Sequence, residues 1–141
     1  MKKLLLAITV LLIVNTYAQE NVFLSNDYWK QQPTVAQVQQ AIAQGNSATA
    51  LNSRAFDTTT LAILNGAPYE TIIYLIDLEG NGVGKITHDK RTYLFWAAFQ
   101  GNVPVMEYLL KKGAEVNITE SHQLTPLLFA AVGGRRLSTV K

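Results

Sequence analysis

The sequence contains no cysteine in its 141 residues. This absence excludes disulfide bonds, thiolate catalysis and cysteine-based zinc sites, and it also excludes a lipid anchor attached through a thioether. Charge is scarce as well, because 16% of the residues are charged while 48% are hydrophobic. That balance fits one folded domain and argues against a disordered chain.

The few charges are nearly balanced. The formal net charge is +2, and removal of Lys2 and Lys3 with a leader leaves ten basic and ten acidic residues. Three of the remaining basic residues, Arg135, Arg136 and Lys141, follow the body of the chain, so the folded part is slightly acidic. We therefore expect no nucleic-acid partner, and the sequence indicates no cofactor.

The apolar run from Leu4 to Val14 is too short for a membrane span, which needs about 20 apolar residues. We interpret it as the core of a Sec-type signal peptide, because a positively charged start precedes it and Thr16-Tyr17-Ala18 supplies small residues before Gln19. Residues 1–18 are therefore a predicted cleavable leader, and a membrane anchor is the weaker alternative. The mature protein is predicted to be periplasmic or secreted, with no membrane span.

A repeat with a period of 33 residues occupies the second half of the chain. The segment TYLFWAA at 92–98 returns as TPLLFAA at 125–131. The first copy predicts a short helix that ends at Gly101, since glycine accepts the left-handed conformation at a helix C-terminus. Asn102 can then cap a second helix, which Gly113 ends. The pattern indicates a helix, a turn, a helix and a hairpin-like loop.

This pattern resembles the ankyrin repeat family. The residues that match the family are Thr92, Leu94, Ala97, Ala98, Gly101, Leu109, Leu110, Gly113, Ala114, Val116 and Asn117, followed by Thr125, Pro126, Leu127, Ala130 and Ala131. The resemblance implies an all-α solenoid of antiparallel helix pairs with hairpin-like loops, in which each unit buries its apolar face against its neighbours.

The sequence departs from the family at its Thr-Pro-Leu-His signature. Tyr93 replaces the first proline, and Phe95 and Leu128 replace the two histidines. We therefore expect the usual histidine hydrogen bonds to the loop to be missing, with looser hairpins and a more apolar inner helix. Leu94, Phe95 and Trp96 are predicted to pack in the core.

We predict an ankyrin repeat domain over residues 19–134, with repeats at 28–56, 57–86, 87–119 and a partial one at 120–134. Aromatic residues between 20 and 32 are predicted to cap the start of the stack, and Thr34 with Gln37 forms a predicted capping box. Residues 135–141 are a basic tail, which we expect to be disordered.

The partial repeat lacks the pattern of a second helix, because Val132-Gly133-Gly134 leads directly into the basic tail. Terminal repeats normally carry a polar outer face. We therefore expect an exposed apolar patch of Leu109, Leu127, Leu128 and Phe129, and we leave open self-association through it. A truncated array, or a non-functional fragment of a longer protein, stays open as an interpretation.

The sequence offers little that predicts chemistry. His88 and His122 fall on adjacent loops, with Asp89 and Glu120 beside them. We favour solvated loop residues over a metal site, which needs three or four convergent ligands. The His88–Asp89 pair has no nucleophile at a recognisable elbow. We predict no catalytic residue, no metal and no enzymatic activity, and a hydrolase or metal enzyme is the weakest alternative.

The resemblance implies a recognition surface on the loops and the inner helices. The residues at its partner-facing positions are His88, Asp89, Arg91, Phe99, Gln100, His122 and Leu124. Aromatic residues and arginine often carry binding energy at interfaces. We expect the chain to bind another protein outside the cytoplasm. The alternative is an accessory or protective subunit of an envelope enzyme.

Cleavage after Ala18 is the first testable prediction. When a secreting bacterium produces the full chain, the mass of the exported product should be that of a chain starting at Gln19, because signal peptidase requires a small residue before the cut. Ala18→Arg should block processing, whereas Ala36→Arg, beyond the leader, should not. An exported product that retains residues 1–18 would contradict the prediction.

Overall fold

The computed structural model describes residues 20–133, which contain seven α-helices. The helices are α1 (Asn26–Lys30), α2 (Val35–Ala43), α3 (Thr58–Leu64), α4 (Tyr69–Asp77), α5 (Tyr93–Gln100), α6 (Val103–Lys111) and α7 (Pro126–Gly133). Short 3₁₀ turns cover Val22–Leu24 and His88–Lys90. The predicted leader and the predicted basic tail lie outside the described residues.

The helices form two layers. In the inner layer α1 packs on α3, α3 on α5, and α5 on α7, while α2, α4 and α6 pack in the same order in the outer layer. Helices α3 and α4 form one pair, and α5 and α6 form the next. The predicted all-α array of helix pairs is therefore confirmed. Within residues 20–133, no helix combines the length and apolarity needed to cross a bilayer.

The predicted helix ends are confirmed, because their chemistry is local. Thr34 and Gln37 form the capping box at the start of α2, each side chain bonding the other's backbone N–H. Asn102 caps α6 by accepting from the Val105 N–H. Gly101 ends α5 with a left-handed φ of 65°, a conformation that costs glycine little.

Aromatic residues seal the first end of the stack, as predicted. Phe23 and Trp29 are fully buried, and their rings stack with centroids 5.7 Å apart. The Trp29 indole donates to the Phe23 carbonyl at 2.7 Å, so its buried N–H is satisfied. Tyr28 packs edge-on against Trp29 at 5.0 Å.

The predicted apolar patch at the other end is partly wrong. Leu109 is 0% exposed, because α6 turns this residue inward where it packs on α4 and α5. Phe129 is only half-exposed. Its ring packs against three aromatic rings of α5, those of Phe95, Trp96 and Phe99. Leu127 and Leu128 are exposed as expected.

A buried carboxylate connects successive units of the array. Asp57 is fully buried, and its Oδ1 caps α3 by accepting from the Thr60 N–H at 2.8 Å. Its Oδ2 accepts from the Tyr93 hydroxyl at 2.6 Å and lies 2.9 Å from Lys85 Nζ. Burial, and then the Asp57 charge, raise the pKa of Tyr93, so its hydroxyl stays a donor. Lys85 also donates to the Thr49 carbonyl at 3.0 Å, which links the loop before α3 to the same site.

Tyr93→Phe should lower the free energy of unfolding by about 1.5–3 kcal/mol, because it removes one hydrogen bond to a buried charge. Urea unfolding followed by circular dichroism measures this loss. The matched control is Tyr69→Phe on the exposed face of α4, which should change stability little. Equal effects of the two substitutions would contradict the role assigned to Asp57.

Candidate protein-binding surface

Three five-residue loops of the same shape lie ahead of α3, α5 and α7, and we call them the tip loops. They span 52–56, 87–91 and 120–124. In each loop the first N–H donates to the last carbonyl, at 2.8, 2.8 and 3.0 Å. The fourth residue, which is Ala55, Lys90 or Gln123, has a φ of 58°, 62° or 65°. This left-handed conformation at a non-glycine residue closes each loop sharply.

Backbone hydrogen bonds join the tip loops to one another. The His88 N–H donates to the Ala55 carbonyl at 2.9 Å, and the Ser121 N–H donates to the Asp89 carbonyl at 2.9 Å. The second and third loops are therefore each held by the loop before them. The three loops form one continuous row along an edge of the array.

His88 is fixed within this row. Its ring stacks on Phe56 with centroids 4.6 Å apart, and its Nδ1 donates to the Arg54 carbonyl at 2.8 Å. Its Nε2 lies 3.2 Å from Asp89 Oδ2. Both side chains remain about one-third exposed, so they can still meet a partner along their outer edges.

Arg91 does not lie on the surface as expected, because its residue is only 8% exposed. Its guanidinium is 2.7 Å from Glu120 Oε2 and 3.1 Å from Asp89 Oδ2. It also lies over the Phe129 ring, 4.2 Å from the centroid, and 5.2 Å from that of Trp96. Arg91 thus connects the third unit to the fourth and leaves little surface for a partner.

Glu120 is the site residue that sequence reasoning missed. The sequence places it beside His122 and predicts no role for it, but its side chain is buried. Its oxygens accept from the His122 N–H at 2.7 Å, from His122 Nδ1 at 2.9 Å and from the Leu124 N–H at 3.3 Å. Burial alone would raise the pKa of Glu120, but the hydrogen bonds from His122 and Leu124 and the charge of Arg91 lower it to about 2.

A signal for this burial was present in the repeat. The 33-residue shift places Glu120 at the position of Thr87, the first residue of the preceding tip loop, which is also buried.

The carboxylates of Asp89 and Glu120 and the His122 ring converge, with ligand atoms within 4.8 Å of one another. His122, one of the two histidines expected to be solvated, remains exposed within this group. Because the guanidinium of Arg91 already pairs with one oxygen of each carboxylate, the arrangement is an ion-pair network.

The remaining predicted contact residues lie in the third tip loop and at the C-terminal end of α5. His122 is the most exposed of them, with 66% of its side chain accessible. Gln100 donates to the Leu64 carbonyl at 2.7 Å, and Phe99 stacks on Phe129 at 5.4 Å. Leu124 is half-buried. Contact of these residues with a partner stays a prediction.

The tip loop 87–91 has a side-chain hydrogen bond to its inner helix although Phe95 replaces the histidine of the family signature. Trp96 of α5 donates from Nε1 to the Thr87 hydroxyl at 2.8 Å, and that hydroxyl donates to the Arg91 carbonyl at 2.7 Å. Trp96 therefore supplies a hydrogen bond between α5 and the loop before it. Trp96 follows directly after Phe95, the residue that replaces the family's histidine. Leu94, Phe95 and Trp96 are all buried, which confirms them as core residues.

Comparison with known proteins agrees with this architecture. The profile of a family described as "Ankyrin repeats (3 copies)" matches residues 59–141, more than half of the chain. A probable palmitoyltransferase, AKR2 of Saccharomyces uvarum, is 38% identical over 65 residues, which are 45% of this chain and 9% of that protein. The likeness is confined to the repeat region, so the transferase name describes that protein alone.

Glu120→Gln should destabilise the chain by about 2 kcal/mol at pH 7, because Arg91 loses a buried charged partner. The pKa of Glu120 is below its ordinary value of 4.5 in the folded state, so its stabilising effect is present above pH 4.5 and is lost as pH falls toward 2. Urea unfolding at several pH values should show the two proteins converging at low pH. Glu115→Gln, at an exposed carboxylate, is the control. A difference that is independent of pH would contradict the prediction.

Proposed function

Because this chain belongs to the ankyrin repeat family, we propose that it is a protein-binding scaffold that works outside the cytoplasm. Ankyrin repeats are protein–protein interaction modules, and a domain of this kind is generally a non-enzymatic scaffold. The tip loops and the exposed side chains next to them form the proposed contact surface.

The continuous row of tip loops is the observation that carries this proposal. Each loop is closed by its own backbone hydrogen bond, and the second and third loops are each bonded to the loop before them. Binding normally costs free energy when loops and side chains become ordered. A row that is already fixed in the free protein avoids part of that cost.

The exposed chemistry of the row is polar and of mixed charge. Lys90, Ser121, His122 and Gln123 are exposed, and Asp89 is partly exposed. Such a surface offers hydrogen-bond donors and acceptors in fixed positions. It favours a partner with a complementary polar surface, because polar and charged groups in fixed positions contribute more to specificity than to affinity.

The proposed location rests on the leader pattern of residues 1–18, with its charged start, short apolar core and small residues before Gln19.

The accessory-subunit alternative differs from the scaffold proposal in the identity of the partner. Capture of one stoichiometric envelope enzyme would favour an accessory role, and capture of a protein without activity would favour a scaffold.

The experiment uses the mature chain, residues 19–141, immobilised and exposed to a fraction of envelope and secreted proteins. The identified partner is then purified, and its affinity is measured by calorimetry. His122→Ala should weaken binding by about 1–2 kcal/mol, as expected for an exposed contact residue. Gln40→Ala, exposed on the outer helix α2, is the matched control.

Unfolding curves for both variants exclude a loss of fold as the cause. Equal affinities for the wild type, His122→Ala and Gln40→Ala would contradict the proposed surface. A partner found only in the cytoplasm would contradict the proposed location.

A further inference from the structure

The charged groups of the tip loops are unevenly exposed. The loops contain two carboxylates, those of Asp89 and Glu120, and three basic side chains, those of Arg54, Lys90 and Arg91. Glu120 is buried, and both carboxylates pair with the guanidinium of Arg91. The negative charge of the loops is therefore already neutralised inside the ion-pair network.

Arg54 and Lys90 are the cations that the loops expose. All ten acidic residues of the sequence lie between 20 and 133, the part of the chain that the structure describes. None of their side chains forms a salt bridge with Arg54 or Lys90 there. Carboxylates of a partner can therefore pair with both cations without displacing an acidic side chain of the protein.

The geometry of His88 adds a third positive charge. Its Nδ1 lies 2.8 Å from the Arg54 carbonyl oxygen, and its Nε2 lies 3.2 Å from Asp89 Oδ2. Both oxygens are acceptors, and neutral imidazole has one N–H to donate, whereas imidazolium has two. The charged ring is the form that satisfies both contacts. The tip loops then hold four positive and two negative groups, a net charge of +2.

Contacts between the loops hold these cations in place. The Arg54 guanidinium lies over the Phe56 ring, 5.4 Å from its centroid, and the His88 ring stacks on the same phenyl ring. The Lys90 N–H donates to the Thr87 carbonyl at 3.1 Å. The backbones that carry the cations are thus ordered before a partner binds, which lowers the entropy lost on association.

The rest of the described chain carries the opposite charge. Residues 20–133 contain seven basic and ten acidic residues, and eight of the acidic ones lie outside the tip loops. Among them are Glu70 and Asp77 of α4 and Glu107 of α6. This charge disfavours a nucleic acid, whose phosphates extend well beyond three short loops, and it favours a short acidic segment.

We propose that the tip loops bind a short acidic segment of a partner protein, with Arg54, His88 and Lys90 facing its carboxylates. The inference rests on the proposed scaffold function and adds the chemistry of the partner. Complementary charge directs the encounter and selects the partner. Because exposed charges are screened by salt, the affinity should fall as the ionic strength rises.

Fluorescence anisotropy of residues 19–141 with synthetic probes tests the proposal. One probe is a short labelled peptide of alternating glutamate and glycine, and the other has lysine in place of glutamate. At about 0.01 M salt the wild type should bind the acidic peptide and not the basic one. At about 0.15 M salt the affinity for the acidic peptide should be lower by about tenfold or more.

Arg54→Gln, Lys90→Gln and His88→Asn should each weaken binding of the acidic peptide about two- to fivefold, as expected for the loss of one exposed ion pair. The assay is run at about pH 6, where histidine is readily protonated. Asparagine in place of His88 keeps a donor for the Arg54 carbonyl, so this variant reports the charge. Lys111→Gln, at an exposed lysine of α6, is the matched control and should leave the affinity unchanged. Unfolding curves separate loss of charge from loss of fold.

Three results would overturn the proposal. They are a wild type that does not bind the acidic peptide at low salt, tip-loop variants that bind it as tightly as Lys111→Gln does, and equal or tighter binding of an oligothymidylate, which would indicate a nucleic acid.

The partner captured on the immobilised chain separates this inference from the proposed function. If His122→Ala weakens its binding while neither salt nor Lys90→Gln does, the scaffold function stands and the acidic segment is wrong. If no variant of the tip loops changes its binding, the proposed surface itself is wrong.

Discussion

The carboxylate of Asp57 is the interaction on which the rest of the array depends. It caps α3, pairs with Lys85 and accepts from Tyr93, and Lys85 in turn reaches the carbonyl of Thr49. A buried ion pair is tolerated only when its remaining donors and acceptors are satisfied, and here they are satisfied by residues of three successive units. The units are therefore held in one register by polar contacts, and apolar packing fills the space between them.

Arg91 and Glu120 make the corresponding connection one unit further along. The chemistry differs, because this arginine lies over the rings of Trp96 and Phe129 as well as beside its carboxylate. Residues of the types that dominate binding interfaces are here used to hold the fold. What remains for recognition is the outer edge of the tip loops, where His122 is the most exposed member of the network.

Local chemistry made much of the fold predictable. The left-handed Gly101 and the capping residues Thr34 and Asn102 act within a few residues of themselves, so the sequence alone reveals them. The 33-residue repeat aligns Glu120 with the buried Thr87, but the pairing of Glu120 with Arg91, which lies 29 residues earlier, follows no periodic pattern. The prediction that Leu109 is exposed was wrong for a related reason. The packing of α6 on its neighbours determines which side of that helix faces inward.

The hydrogen bonds between tip loops run in one direction, since His88 donates back to Ala55 and Ser121 donates back to Asp89. Backbone groups make these bonds, so they would tolerate almost any side chain. Side-chain contacts such as the ion pair of Arg91 with Glu120 do not tolerate such changes, because each residue requires a particular partner residue in the adjoining unit. A unit duplicated or exchanged by recombination would thus inherit its loop bonds at once, whereas its charged counterparts would have to evolve together.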